Sequence, residues 1–246
     1  MFEIFIMYTI TLNGNSSNLS CDFFPPIEVS KDAKICLLSL QTNNSIPNIN
    51  DKCNQIGVVH DSENKIEKDV YTIPTGSYEL NELEAVIKQI LSDTVTTFEL
   101  KANNNTLKCE MKCSEIIDFS MDNSIGPLLG FTTDKKYEAN VQHQSDSLVN
   151  MTKVNCIYIE SNLATGSFNN GRECHILHEF YPNVPPGYKI IEIPKHLVSY
   201  SLNCTTINQI SLTLKDQDGQ LIDLRGEPIS IRLLIQDNIN DGYTIL

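Results

Sequence analysis

The sequence predicts an all-β fold with one inserted α-helix, and three observations lead to this class. Short runs of alternating or β-branched residues recur along the chain, separated by clusters of Asn, Gly, Pro and Asp. Their spacing of about 8–12 residues is typical of a sandwich or a barrel. A helical period occurs in one segment only, and the length of 246 residues suits one large β-domain or two small ones.

We place strands wherever such a run is bounded by turn residues. Residues 98–113 form two alternating runs around three asparagines and predict a hairpin, and the polar stretch 132–150 predicts a long exposed loop. Because no linker or change of composition divides the chain, we expect one domain over 1–246 with a helix and hairpin inserted around 74–131. The predicted strands are 2–12, 35–42, 56–60, 69–73, 96–101, 106–112, 154–160, 173–180, 188–193, 207–214, 220–225 and 229–236.

The helix is predicted over about 79–92. Its apolar residues recur at the three- and four-residue spacing of a buried stripe. Glu84 and Lys88 are spaced to pair on the helix surface, and Ser77 is the expected N-cap. The stripe consists of Leu80, Leu83, Ile87, Ile90 and Leu91.

The formal net charge of −13 argues against direct binding to nucleic acid, because an acidic surface repels phosphate and no basic cluster offsets it. No run approaches the roughly 18 apolar residues of a membrane-spanning helix. The N-terminal residues predict a strand rather than a signal peptide, because they lack a basic flank. The eight cysteines are therefore expected to be free thiols in a reducing compartment.

The stretch "KDQDGQLIDLRGE" resembles part of a calcium loop, with Asp216, Asp218 and Glu227 at the first, third and twelfth positions. The glycine, however, stands at the fourth position rather than the sixth. Pairing Asp216 with Gln220 instead gives a β-hairpin that sets Leu214 opposite Ile222 and Leu212 opposite Leu224. Its three-residue loop would end at Gly219, where a left-handed residue is needed. We therefore predict a turn and not a metal site.

The remaining residues that could bind a metal or act in catalysis are not spaced in the sequence to form a site. In "CHILH", Cys174 and His178 would share one strand face and His175 the other, which gives two zinc ligands of four. Cys109 and Cys113 would lie on one face about 13 Å apart, and we interpret them as buried apolar residues. Because no nucleophile elbow, P-loop or zinc-protease motif occurs, we predict no catalytic, cofactor-binding or metal-binding residue, and no enzyme.

Five stretches, taken in order, resemble the minor capsid (penton) proteins encoded by Polinton/Maverick elements and their adintovirus relatives. The resemblance covers most of the chain and is weakest in 1–25 and 132–150. The order of the five stretches, rather than any single motif, makes the match specific. The stretches are "LQTNNSIPNIN" (40–50), "IPTGSYELNELEAVIKQIL" (73–91), 103–131, 154–194 and "DQDGQLIDLRGEPISIRLLI" (216–235).

This resemblance implies a jelly-roll β-sandwich and no catalytic centre. It further implies a virion protein that assembles as a homopentamer at icosahedral vertices, beside a double jelly-roll major capsid protein of the same element. Assembly would take place inside the host cell, in the cytoplasm or the nucleus. On the last predicted strand, Leu234 faces away from Ile229, Ile231, Leu233 and Ile235, and it is either an interface residue or part of a two-sided core.

A second hypothesis is a β-sandwich module that binds a glycan or a protein through its loops. Loops rich in Asn and aromatic residues, such as "TGSFNNGREC" (165–174), would serve that role. An enzyme is the weakest of the three hypotheses, because the sequence does not bring an acid, a base and a nucleophile together.

Overall fold

The computed structural model describes residues 4–62 and 65–239, and it is built from antiparallel sheets with one α-helix. This confirms the all-β class with an inserted helix. No helix in the described part of the chain is long and apolar enough to cross a membrane. In chain order the elements are β1 (Ile4–Gly14), β2 (Asn18–Glu28), β3 (Lys34–Asn43), β4 (Gln55–Ser62), β5 (Lys65–Thr72), α1 (Leu80–Ile90), β6 (Phe98–Asn103), β7 (Lys108–Cys113), β8 (Ile116–Asp118), β9 (Lys136–Tyr137), β10 (Gln142–Leu148), β11 (Ile157–Ser161), β12 (Ala164–Thr165), β13 (Ser167–Asn169), β14 (Arg172–Cys174), β15 (Ile176–Phe180), β16 (Lys189–Glu192), β17 (Tyr200–Leu202), β18 (Thr206–Asp216) and β19 (Ile229–Ile239).

The chain divides into two compact units. Unit 1 comprises Met1–Ile46 and Val154–Leu246, and unit 2 comprises Pro47–Lys153. The prediction of a single domain with an insertion around 74–131 stays a prediction, and the inserted stretch that forms a compact unit is longer than that range at both ends.

Unit 1 is a jelly roll, as its strand order establishes. One sheet has the order β1-β19-β3-β17-β12, with β16 also paired to β3, and the other has the order β15-β11-β18-β2. In unit 1 the first strand, β1, pairs with the last, β19, and the second, β2, pairs with the second last, β18. The third strand, β3, pairs with both β16 and β17, and β11 pairs with β15. This nesting is the double Greek key of a jelly roll.

The core of unit 1 follows from the period-two pattern of its strands. Inward-facing residues alternate with outward-facing ones, so a strand with Ile or Leu at every second position buries one face. On β19 these positions are Ile229, Ile231, Leu233 and Ile235, and on β18 they include Ile210, Leu212 and Leu214. All of them belong to one apolar cluster, as their alternation predicts.

Unit 2 contains two smaller sheets, of order β5-β4-β8-β9 and β10-β7-β6, and helix α1 packs on β6. Its core includes a cluster of three aromatic rings, Phe119, Phe131 and Tyr137, whose centroids lie 5.0–5.6 Å apart. Edge-to-face and offset contacts of this kind add to the free energy of burial.

Helix α1 forms where its apolar period predicts, but its first turn differs from expectation. Leu83, Ile87 and Leu91 are buried, and Lys88 Nζ lies 2.8 Å from Glu84 Oε1, as predicted. The expected N-cap at Ser77 is wrong. The cap is Glu79, because its backbone N–H can donate to Glu82 Oε2 at 2.9 Å.

The predicted exposed loop over 132–150 is wrong. Its second half forms strand β10, which pairs with β7 through Gln142↔Lys112. The strand is polar because its residues satisfy backbone groups: the buried Ser145 Oγ accepts from the Cys109 N–H at 3.0 Å and donates to Ser147 O at 2.7 Å. Polar composition therefore hid a strand that its neighbour stabilises.

Candidate functional site

The stretch that resembles a calcium loop is a hairpin turn. The Asp216 N–H donates to Gln220 O at 2.8 Å, and the Ile222 N–H donates to Leu214 O at 3.2 Å. Gly219 has a φ of +75°, the left-handed conformation that the three-residue loop requires. The predicted register is confirmed at the turn, although the second arm pairs only through the bridge Lys215↔Leu221 and is not the strand predicted over 220–225.

The carboxylates of this stretch have separate partners. Asp216 Oδ1 accepts from the backbone N–H groups of Asp218 and Gln220 at 2.9 and 2.8 Å. Glu227 Oε2 accepts from Asn43 Nδ2 at 2.7 Å. Asp216 therefore stabilises its own turn. Among residues 4–62 and 65–239, no group of three or more His, Cys, Asp or Glu side chains could hold a metal ion.

The "CHILH" segment is not the continuous strand that we predicted over 173–180. Strand β14 ends at Cys174 and β15 begins at Ile176, so His175 lies in a break between them. His175 Nδ1 lies 2.8 Å from Ala164 O, and His178 Nε2 lies 3.0 Å from Glu192 Oε1. The two histidines therefore have different partners.

The thiols of "CEMKC" are buried, as predicted. Cys109 and Cys113 lie in the core of unit 2 beside Met111. Burial raises the pKa of the Cys109 thiol to about 12, because removal from water disfavours the thiolate. All eight cysteines are free thiols.

The remaining histidines occupy different environments. His60 lies 3.5 Å from carboxylate oxygens of both Asp69 and Glu115, and His196 is exposed. His143 packs edge-on against Tyr137, and its Nε2 lies 2.9 Å from a backbone carbonyl oxygen. The contacts of His60 and His143 are those of structural residues.

A groove of about 550 Å³ lies along strand β15. Its volume falls in the range of ligand sites. The loop 165–174 forms one wall: β13 and β14 are joined at Asn170 and Gly171, both with positive φ, as in the type I′ turn. The apolar and aromatic side chains that line the groove include Tyr158, Phe168, Ile176, Val198 and Tyr200.

The lining of the groove combines exposed apolar side chains with polar groups. Phe168 is 68% exposed and Val198 is 55% exposed. Asn169, His178 and Glu179 supply the polar groups. Burial, and then the nearby Cys174 and Glu179, raise the pKa of the Tyr200 hydroxyl, so this hydroxyl stays neutral and able to donate a hydrogen bond.

More exposed apolar residues follow the groove in the sequence. Large exposed apolar side chains are typical of interaction surfaces where they form a contiguous patch. These residues lie on β16 and in the segments that flank it, and they are Tyr181, Tyr188, Ile191, Ile193 and Leu197.

The opposite edge of the same sheet carries a projection, which we call the Phe24 corner (residues 23–26). Strand β2 pairs with β18 as Asp22↔Gln209 and then Ile27↔Ile207, so the four residues of the corner stand against one residue, 208. Two of the four are Pro25 and Pro26, which have no N–H to donate to the ladder. The bulge turns the side chain of Phe24 outward, where it is 100% exposed.

Phe24 was not singled out in the sequence analysis. The available signal is an aromatic pair directly before two prolines. Leu234 is only 9% exposed, although Arg232 on the same face of β19 is exposed, so this side chain is largely covered within the chain itself.

The fold and these surfaces define an all-β jelly-roll protein with a groove of mixed polar and apolar lining on one edge strand. No family model matches the sequence, and no curated protein matches it. Among solved structures, the chain is similar to the crystal structure of the selenomethionine-labelled mavirus penton protein, with 12% identity, a TM-score of 0.48, and coverage of 96% of this chain and 100% of that chain. At this level of similarity the fold assignment rests on the strand order alone.

Proposed function

We propose that the chain is a structural virion protein, the penton subunit at the five-fold vertices of an icosahedral capsid. It assembles as a homopentamer and contacts a double jelly-roll major capsid protein of the same element. It is incorporated into virions that assemble inside the host cell. The role requires no catalytic residue and no cofactor.

The nested strand order of unit 1 carries this proposal. Two sheets whose strands pair first with last and second with second last form the fold that capsid domains use. Because a fold does not imply a function by itself, the proposal also depends on the resemblance of five ordered stretches to the Polinton/Maverick penton family.

The surface of unit 1 supports a role in assembly. The sheet β15-β11-β18-β2 has a groove with exposed Phe168 at one edge and the exposed Phe24 at the other. Contacts between different faces of identical subunits build closed rings when the rotation closes. The net charge of −13 further supports contacts with protein rather than with nucleic acid.

Measurement of mass in solution tests the proposal. Native mass spectrometry of the purified chain should give a particle of five times the 27.7 kDa chain, and negative-stain images should show five-fold rings. The same measurement, made on the chain co-expressed with its major capsid protein, detects a pentamer that forms only in the presence of that partner. A chain that stays monomeric at all concentrations in both preparations would contradict the proposal.

A binding module for a glycan or a protein is the second candidate. The observation in its favour is the groove itself, since an exposed Phe168 beside Asn169 is a surface on which a sugar ring can stack. A glycan array separates the two functions: saturable binding that Phe168→Ala abolishes, by a chain that never oligomerises, would favour the module.

A further inference from the structure

We propose that the turn between β13 and β14 is a spontaneous modification site, at which Asn170 loses ammonia and becomes aspartate or isoaspartate. The reaction consumes water and needs no enzyme. It replaces a neutral amide with a carboxylate in the loop that forms one wall of the groove along β15. The inference goes beyond the proposed penton function and does not depend on it.

The chemistry follows from the two residues of the turn, Asn170 and Gly171. The backbone nitrogen of Gly171 attacks Cγ of Asn170, and a glycine permits this approach because it has no side chain and few limits on its backbone. The new bond joins that nitrogen to Cγ, the bond from Cγ to Nδ2 breaks, and ammonia leaves with the proton of the Gly171 N–H. Water then opens the cyclic imide. Opening at the main-chain carbonyl carbon gives isoaspartate, and opening at Cγ gives aspartate.

The turn is open to water and sterically free. Asn170, Gly171 and Arg172 are all exposed, and a Cβ built on Gly171 would meet no atom within 4 Å. Ring closure requires the backbone to leave the turn conformation, in which Asn170 has a φ of +49° and Gly171 a φ of +77°. No neighbouring atom blocks that movement at Gly171, so the reaction depends on how easily the hairpin opens.

The hairpin that carries the turn opens at low cost. Strands β13 and β14 form a two-stranded sheet of their own, held by the residue pairs from Ser167↔Cys174 to Asn169↔Arg172. A two-stranded hairpin has marginal stability, and segments of low local stability open while the rest of a protein stays folded. The turn therefore reaches the reactive conformation without unfolding of the jelly roll.

A second Asn–Gly pair in the chain provides the contrast. Asn13 and Gly14 lie in the ladder between β1 and β19, opposite Ser230 and Ile229. A Cβ built on Gly14 would lie 2.4 Å from Leu19 Cδ2, so the backbone is closely packed at this point. Ring closure there requires one end of a large sheet to open. The same pair of residues is therefore reactive at the turn and protected in the ladder.

Conversion changes the wall of the groove in two ways. The new carboxylate adds to those of Glu173 in the same hairpin and Glu179 in the groove lining, so the local potential becomes more negative. Isoaspartate also places one extra carbon in the backbone of the turn, and the turn sets the register of a hairpin. Phe168, which pairs with Glu173 across the hairpin, would then change its position in the groove.

The first experiment follows the folded wild-type chain by peptide mapping with mass spectrometry during incubation at neutral pH. Asn170 should convert at least about tenfold faster than Asn13, because only Asn13 is held in a large sheet. The matched control is the same chain in concentrated urea, where the two Asn–Gly pairs should convert at similar rates. Equal rates in the folded chain, or no conversion of Asn170 while the urea sample reacts, would overturn the proposal.

The second experiment restricts the hairpin. Ser167 Oγ lies 3.4 Å from Cys174 Sγ, and the two residues pair across β13 and β14, so Ser167→Cys brings a thiol within reach of the native Cys174 for a disulfide. The oxidised variant should convert Asn170 several-fold more slowly than wild type, and reduction should restore the wild-type rate. Asn13 should convert equally in both forms. An unchanged rate at Asn170 in the oxidised form would overturn hairpin opening as the route to the reaction.

A further variant identifies the residue that gains the charge. Ion-exchange chromatography of the incubated wild-type chain should show a more acidic species, and Asn170→Gln should not form it, because the longer side chain closes a ring far less readily. Accumulation of the same species in Asn170→Gln would place the reaction at another residue and overturn the proposal.

Discussion

The two units use their aromatic side chains in opposite ways. In unit 2, Phe119, Phe131 and Tyr137 pack against one another in the core. In unit 1, Phe24 and Phe168 are largely exposed, together with the tyrosines at 181 and 188. Every described aromatic residue with a large exposed fraction lies in unit 1.

This difference shows where the chain places its apolar surface. Unit 2 uses its apolar side chains to stabilise its own fold, because its small sheets enclose only a limited core. Unit 1 already has an apolar core between two sheets, and its exposed aromatic residues lie on β2, on β13 and in the segment before β16. Exposed aromatic side chains that lie together are typical of an interaction surface.

Replacing one aromatic ring in each unit should give the largest difference in stability between the two units. Phe131→Ala should lower the free energy of unfolding by about 3–5 kcal/mol, because it leaves a cavity among packed rings. Phe24→Ala should change it by less than about 0.5 kcal/mol in the monomer. Urea unfolding monitored by circular dichroism measures both, and a large loss for Phe24→Ala would show that this ring supports the fold.

A pair of glycines provides the next test. Gly219 in unit 1 and Gly130 in unit 2 both have positive φ, so alanine strains either backbone by roughly 1–2 kcal/mol. A Cβ at Gly219 meets no atom within 4 Å, but one at Gly130 would lie 2.3 Å from Ser147 O. Thermal unfolding should therefore show a clearly larger loss for Gly130→Ala, and equal losses would contradict the packing described.

The turns of the two units differ in the group that stabilises them. Asp216 Oδ1 accepts from two N–H groups in unit 1, and Asn103 Oδ1 accepts from those of Asn105 and Thr106 in unit 2. Asp216→Ala should cost about 1 kcal/mol or more, and Asn103→Ala should cost less, because a neutral amide is the weaker acceptor. Chemical denaturation of both variants ranks them, and the reverse order would disprove this explanation.

Low pH should reduce the stability of unit 2 by a small amount, because it protonates Asp146. A hydrogen bond from Lys135 is the main cause that lowers the pKa of Asp146 from 3.8 to about 2. The folded state therefore favours the carboxylate, and this contribution is complete above the ordinary pKa and is lost as pH falls through about 2.

The variant Asp146→Asn isolates this contribution. The stability difference between wild type and the variant should be constant near neutral pH and should shrink between about pH 4 and pH 2. Thermal melts across that range measure the difference. A difference independent of pH would show that the pairing with Lys135 does not stabilise the fold.

Much of unit 1 could be predicted from local pattern. Strand β19 and the turn at Gly219 are specified by period-two alternation and by a left-handed glycine, both of which act between near neighbours in sequence. Strand β10 escaped prediction because Ser145 and its polar neighbours gain their stability from β7, which no local pattern shows.

The candidate site was less predictable for the same reason. The groove brings together β13, β14, β15 and the segment around Val198, which only the fold makes neighbours. The Phe24 corner had a local signal in its two prolines, but its full exposure depends on the bulge against β18. Two adjacent prolines are a local signal for a bend, but they do not indicate that Phe24 is exposed.

The position of β19 has a consequence for biosynthesis. This strand lies between β1 and β3 and pairs with both, through Ile10↔Leu233 and Leu37↔Leu233, yet it is translated after both of them. A growing chain on the ribosome therefore has two strands with a gap between them until the ribosome has made residues 229–239. Until then their unpaired edges can join the wrong partner, so that a chain truncated before Ile229 should aggregate.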